Sequence, residues 1–340
     1  MGTPAPGDLR VPYQELVEAL ARVLLGFGFT KERAHLAARI FADASRDGVY
    51  SHGVNRFPRF LRALRNRVVD AKAVPVLVSS AGALERWDGQ SGPGMLNAHK
   101  CMQRAIELSQ LHGIGCVALR NTNHWMRGGS YGWQAAEAGR IAICWTNTMP
   151  NLPPWGAVDP RLGNNPLVIA VPRKEGHVVL DMAMSQFSYG AIESYRKKGT
   201  QLPVPGGFTS NGELTTDPGA IEKSYRPLPI GYWKGSGLAL MLDLAASALA
   251  GGNATCQIAA DPERETRVSQ AFIAIDPSQL GGEAACAEIA DRVISDLHDA
   301  RTVSGEKVRY PGEQVLRTRR TNLELGVPVD AAIWEEVRRG

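Results

Sequence analysis

Gly48-Val49-Tyr50-Ser51-His52-Gly53-Val54-Asn55-Arg56-Phe57-Pro58-Arg59-Phe60 is the joint from which the rest of the chain is read. It sets a histidine and an arginine four residues apart. On a helix, that spacing stacks the two side chains on one face. Imidazole exchanges a proton near neutral pH, and a guanidinium presents a planar fork to a carboxylate. The pair therefore predicts a site that grips a 2-oxo acid by its carboxylate and protonates its carbonyl oxygen. A solvated His and Arg beside a helix start would show the same spacing.

Outward from this joint the chain reads as helix in both directions. Upstream, Pro12 suits a first helical turn, and Leu16, Leu20, Val23 and Leu24 recur at helical spacing up to Gly26. Thr30 is placed to cap a second helix carrying Ala34, Ala37, Ala38 and Phe41. Downstream, Phe57, Phe60, Leu61 and Leu64 form an apolar stripe. Residues 1–72 are thus predicted as a small helical N-terminal domain, with 1–11 a flexible tail.

Near Val74 the period changes from helical to alternating. Val74-Pro75-Val76-Leu77-Val78 and Ala83-Leu84-Glu85-Arg86-Trp87 read as strands about a turn at Ala81-Gly82. A helix is predicted from Met95 to Leu111, closed by Gly113. Buried strands follow at 114–119, 141–146, 167–171, 178–182 and 271–275. Further helices are predicted near 133–138, 238–250, 284–297 and 330–338, and Asn211-Gly212 signals a hairpin turn. The fold class is α/β in the α+β sense: one mixed sheet over residues 73–280, and C-terminal helices over 281–340 that pack back on the helical domain.

Composition excludes several functions. A net charge of +4 on 340 residues is too mild for nucleic acid or an acidic membrane surface. No apolar run reaches the ~20 residues of a membrane span. The N-terminal stretch Met1 to Arg10 has no apolar signal core. Five cysteines without a CxxC indicate neither a disulfide frame nor a zinc site, so a cytoplasmic, metal-free protein is expected. There is no HExxH, GxSxG or phosphate-binding P-loop, so hydrolase and kinase chemistry have no foothold.

Three other places carry chemistry. Asn121-Thr122-Asn123-His124-Trp125-Met126-Arg127-Gly128-Gly129 follows a buried strand, where sites are commonly built. Its second His and Arg can complete a pocket for a hydroxylated anion, or the loop can simply satisfy its own backbone. Asp181 ends an apolar run and can orient a histidine, bond a ribose, or cap a turn. Lys234-Gly235-Ser236-Gly237 opens a helix and can receive an anion, or be a Gly-rich turn with a solvated Lys. No Rossmann fingerprint is present: Gly113-Ile114-Gly115 precedes a strand and lacks the third glycine.

Taken together, Ser51-His52-Gly53-Val54 with Arg56, Asn123-His124, Asp181-Met182-Ala183 and the Lys234-Gly235 helix start resemble the malate/L-lactate/ureidoglycolate dehydrogenase family. The resemblance runs from about residue 12 to the C-terminus. It implies a non-Rossmann mixed sheet that binds NAD(P)H, which accounts for the missing fingerprint. It implies His52 as the general acid, and a homodimer with its site where the subdomains meet; the mechanism read from this has His52 positively charged as it donates its proton. It also implies cofactor contacts at His177, Val178, Val179, Leu180, Asp181, Met182 and Ala183, at Trp233 and Lys234, and at Gly312, Glu313 and Gln314. Pro311-Gly312 independently reads as following an apolar strand-like run and opening a helix. Arg56 as carboxylate clamp, with Arg127 in reserve, and His124 as hydroxyl contact follow from their chemistry.

The expected activity is NADH-dependent reduction of the ketone of a 2-oxo sugar acid to the 2-hydroxy acid, with NADPH as the alternative cofactor. Asp181 near a ribose would repel a 2′-phosphate, and Trp125-Met126-Arg127 favours a larger acid. Malate, ureidoglycolate or cyclic imino-acid turnover on the same scaffold is the nearest alternative. A binding protein that kept the fold is a further one, opposed by the intact His52, Arg56, Asp181 and Lys234.

Overall fold

The structure, a computed structural model, describes residues 9–303, 305 and 307–339. Helices α1 (Tyr13–Gly26), α2 (Lys31–Arg46) and α3 (Phe57–Arg65) follow the predicted pattern. Thr30 caps α2, its hydroxyl accepting from Arg33 N at 3.4 Å. Leu16, Leu20, Leu24, Phe41 and Phe57 are wholly buried between the three helices, with Phe41 meeting Phe57 edge-on at 5.2 Å.

The joint between α2 and α3 departs from expectation. His52 and Arg56 do not share a helix face. The chain instead makes two separate 3-10 turns, Tyr50–His52 and Val54–Arg56, broken at Gly53 (φ −98°, ψ −134°). Gly53 is pressed onto the end of α2, where a Cβ would collide with Ser45 Oγ, and Val54 N donates to that same hydroxyl at 2.9 Å. Packing against α2 therefore overrides helical periodicity at this point.

The tail expectation is also corrected at its inner end. Leu9–Val11 is a strand, β1, paired antiparallel with Val327–Val329. Its partner lies over 300 residues away, so local composition could not reveal it. Residues 1–8 lie outside the described residues.

A seven-stranded sheet forms the centre. Its strands are β2 (Val76–Ala81), β3 (Leu84–Asp88), β4 (Ile114–Thr122), β5 (Ile141–Thr146), β6 (Leu167–Val171), β7 (Val178–Met182) and β8 (Val268–Ile275), in spatial order β2-β3-β4-β8-β5-β6-β7. Only the β3–β4 pair is parallel, joined through α4 (Gly94–His112). Central β8 is covered on both faces, which is why it reads as a continuous apolar run. Phe272 and Ala274 face α4 and α5 (Gly129–Glu137), whereas Ala271 packs with Ala239, Leu242 and Ala246 of the helix Trp233–Ala250. That helix starts five residues before its predicted position, because Gly235 and Gly237 sit within its first turns.

The C-terminal part divides its contacts. In the helix Ala331–Arg339, Trp334 and Val337 join the core of α1–α3. The helix Glu313–Leu325 reaches both α2 and the sheet. The helix Glu283–His298 lies by the sheet, where its Asp291 pairs with Arg173.

Candidate active site

A cleft opens where α2–α3 meets the sheet. Arg56 enters it from the second 3-10 turn, Asn123 and His124 from the loop after β4, and Glu263 and Glu265 from the segment before β8. Phe60, Val69 and Met126 line its apolar wall. The two sides are tied together at the rim: Arg59 donates to Pro262 O, and Arg62 to Glu263 at 3.4 Å.

The rings of His52 and His124 stack with centroids 5.7 Å apart and 21° between their planes. Ser51 Oγ lies 3.0 Å from His52 Nδ1. His124 Nδ1 accepts from Met126 N at 3.0 Å, so the proton of its neutral ring is on Nε2. Both histidines are half-buried. Burial, with Arg56 and Arg127 nearby, pushes His52 down to about 4. Burial, then Arg56, holds His124 well below the ordinary histidine range. Before an acid binds, the His52 ring is therefore neutral at pH 7.

Among the described residues, no carboxylate or other side-chain partner meets the Arg56 guanidinium. Burial, then the neighbouring Arg59, lowers it to about 10, which still leaves it charged. Glu265 and Glu263 across the cleft favour its charge without bonding it, and a half-buried cation with no direct ion pair is primed for an anionic ligand. Arg127, the reserve clamp, is spent elsewhere. It is 5% exposed and donates to Asp47 at 2.6 Å. Arg46 (2.9 Å) and Arg319 (2.8 Å on each carboxylate oxygen) meet the same buried Asp47. Burial alone would raise Asp47, but Arg319, Arg127 and Arg46 outweigh it and hold the carboxyl well below its usual range. Asp47 thus binds α2, the β4–α5 loop and the helix Glu313–Leu325 together.

Asp181 lies at the end of edge strand β7. Its carboxylate accepts from Gly129 N at 2.7 Å in the first turn of α5. Burial raises its pKa, with Arg127 and the Gly129 bond opposing. No described histidine bonds it, so orienting a ring is not its part. Its charge is also partly spent on Gly129, which weakens the argument that it would repel a 2′-phosphate.

The predicted cofactor segments are strung along β7. At its start, Val179 N donates to Pro311 O at 2.9 Å, and Gly312 (φ +99°) sits so close that a Cβ would meet His177 O and Val179 N at 3.2 Å. Just past its end, Ile230 N donates to Met184 O at 2.8 Å, leading into exposed Trp233 and Lys234 at a helix start. At about 3.3 Å per residue, Val179 and Met184 are roughly 17 Å apart, a span suited to an extended dinucleotide. Among the described residues no strand immediately precedes Pro311, which corrects the apolar strand-like run read there; the helix does open at Glu313. Glu313 and Gln314 turn their side chains onto Tyr310 N (3.3 Å) and Arg309 (3.0 Å), and Glu313 N itself donates to Tyr310 O at 3.2 Å.

Trp133, which the sequence did not single out, completes this edge. It lies beside Gly312 and His177, with Arg319 4.6 Å above its ring, and its buried Nε1–H finds no acceptor among the described residues. A glycine cradle beside an unpaired buried donor fits a polar cofactor lying along β7.

Fold and site together describe an oxidoreductase on a mixed sheet without a dinucleotide-binding βαβ frame. The family model for malate/L-lactate dehydrogenase matches residues 11–338, and the chain belongs to that family. It is 46% identical over 331 residues to the 2,3-diketo-L-gulonate reductase of Citrobacter koseri, covering 97% of this chain and 99% of that one. Among solved structures, it resembles sulfolactate dehydrogenase from Methanocaldococcus jannaschii (TM-score 0.90, 29% identity, 97% and 96% coverage). It also resembles delta1-piperideine-2-carboxylate reductase from Pseudomonas syringae pvar. tomato (TM-score 0.87, 30% identity, 97% and 99% coverage).

Proposed function

We propose that the protein reduces the ketone of a 2,3-diketo-L-gulonate-type 2-oxo acid to the 2-hydroxy acid, using NADH. The observation that carries this reading is the unpaired, half-buried Arg56 beside the His52–His124 stack. The 46% identity to 2,3-diketo-L-gulonate reductases supports the substrate class.

Arg56 pairs with the substrate carboxylate through two parallel bonds and fixes the direction of the adjacent carbonyl. The incoming negative charge offsets the field of Arg56 and Arg127, so the His52 pKa rises and the ring takes up a proton. His52 then gives that proton to the carbonyl oxygen as the alkoxide develops, an effect worth on the order of 10²–10⁴ in rate. His124, neutral and donating from Nε2, contacts a neighbouring oxygen. Asp181 fixes Gly129 and so the loop that carries His124. A nicotinamide bound along β7 supplies the hydride.

NADH is preferred over NADPH because the arginines around Gly312 are engaged. Arg173 pairs with Asp291, Arg309 with Gln314, Arg317 with Glu313 and Arg319 with Asp47.

A homodimer is proposed from the helix Trp233–Ala250, which is apolar on all sides. Its outer face leaves Leu240, Met241 and Leu244 exposed by 45%, 59% and 50%. A helix apolar all round needs cover on every side. A cytoplasmic setting is proposed on the thiols of Cys101, Cys116, Cys144 and Cys256, none of which is held in a disulfide. No helix among the described residues is long and apolar enough to cross a membrane.

A rate screen across 2-oxo acids of three to six carbons and a cyclic imino acid, with NADH and NADPH, tests the proposal. The highest kcat/KM is expected for a six-carbon sugar acid with NADH. Highest turnover of a cyclic imino acid would favour the activity of the Pseudomonas relative, and no turnover with any acid would remove the proposal.

A further inference from the structure

Asn123 has a feature that the carboxylate grip and the proton transfer leave unused. It is 4% exposed, and its Nδ2 donates to Ser91 O at 2.8 Å and Gly92 O at 2.9 Å. Both partners are carbonyls, so only the NH₂ end of the amide can face them. The acceptor end, Oδ1, is then turned away from them. It is buried, and among the described residues nothing donates to it. An acceptor buried without a protein donor is costly, so it is completed by a water that a substrate group can displace, or by the substrate directly.

The backbone under Asn123 is firmly seated. Gln270 Nε2 donates to Asn123 O at 3.5 Å, and Gly94 lies so close that a Cβ would strike both Asn123 O and His124 O. The side chain is thus held on a fixed peptide, in the same cleft as Arg56 and His124.

We infer that Asn123 and His124 together read a hydroxyl on the carbons beyond the ketone, making Asn123 a specificity-determining residue for polyhydroxy 2-oxo acids. This rests on the proposed reduction of a 2-oxo acid held by Arg56. His124 Nε2 offers only a donor, and Asn123 Oδ1 offers only an acceptor. Among the groups a 2-oxo acid's carbon chain carries, a hydroxyl answers both at once. A ketone or carboxylate oxygen answers His124 and leaves Asn123 unpaired; a methylene answers neither. The cleft past Arg56, walled by Phe60, Val69 and Met126, receives the carbon chain behind that hydroxyl.

The test compares kcat/KM for 2-oxogulonate and 2-oxohexanoate, two acids of equal chain length of which only the first carries hydroxyls. Wild-type enzyme is expected to favour 2-oxogulonate by at least about tenfold, because the deoxy acid leaves a buried acceptor unpaired. Asn123→Leu removes the acceptor and is expected to erase most of that ratio. Asn123→Asp loses the same two Nδ2 bonds but keeps an acceptor, and is expected to retain it. The ratio cancels any general loss of folded enzyme. Equal kcat/KM in the wild type overturns the inference without the variants. So does an unchanged ratio in Asn123→Leu, or an equal collapse in both variants. Turnover of both acids without discrimination leaves the proposed reduction standing, whereas turnover of neither removes the reduction itself.

Discussion

His52 and His124 stack at 5.7 Å although one comes from the joint between α2 and α3 and the other from the loop after β4. The contact makes the reactive site a product of two structural units rather than of one motif. Burial at this contact, with the field of Arg56 added to it, leaves neither ring charged before an anion arrives.

Burial and that field together set an expected pH dependence. His52 in the free protein is pushed down to about 4. Reduction needs the protonated ring, so kcat/KM, which reports the form awaiting substrate, is expected to fall about tenfold per pH unit between about pH 5 and 8. The bound carboxylate raises the His52 pKa, so kcat is expected to hold level to a higher pH before it falls. Full steady-state profiles check this. Coincident breaks in kcat and kcat/KM would show that the carboxylate does not shift the acid.

Arg56→Lys keeps the charge and loses the planar two-point grip. With a 2-oxo acid, KM is expected to rise and kcat to fall, because a displacement of about 1 Å at the reacting carbon costs ~10²-fold. With a neutral ketone or aldehyde analogue, the loss is expected to be small. An equal loss for both substrates would take Arg56 out of the carboxylate site.

Asp47→Ala leaves Arg46, Arg127 and Arg319 converging on an empty place in a buried setting. Breaking a buried pair by removing one partner costs about 3–5 kcal/mol, read as a lower urea midpoint. The folded carboxyl is held below its ordinary range, so its stabilisation is complete above that range. It is lost as pH falls through it, and acid unfolding of the wild type should be steeper than that of Asp47→Ala.

Met241→Asp places a charge on the exposed apolar face of the helix Trp233–Ala250, on the side away from Ala239, Leu242 and Ala246. Sedimentation is expected to give a dimer for the wild type and a folded monomer for the variant. A monomeric wild type would leave that face without its proposed cover.

Strands 141–146, 167–171 and 178–182 stand where the sequence puts them, because buried strands announce themselves as short apolar runs between turn residues. The helix Tyr189–Lys197 escaped notice, since of its nine residues only Ile192 is buried. At the site, His52, Arg56 and His124 were legible as residue types, but the reason they converge was not. Gly53 breaks the helix that local spacing suggested, and the stack depends on tertiary packing. Asp47 was silent for the same reason, its partners Arg127 and Arg319 lying 80 and 272 residues away. Asn123 sat in a stretch already marked as rich in hydrogen-bonding groups; only the geometry shows which of its atoms is free.

The central claim is that His52 delivers the proton to the substrate ketone. The most direct measurement is the steady-state rate of NADH consumption by His52→Ala with a six-carbon 2-oxo acid, beside NADH binding followed by fluorescence. The account predicts nearly unchanged NADH affinity and a kcat lowered by about 10²–10⁴. A variant that keeps more than about a third of the wild-type kcat would contradict it, because a proton donor in the transition state is not that dispensable.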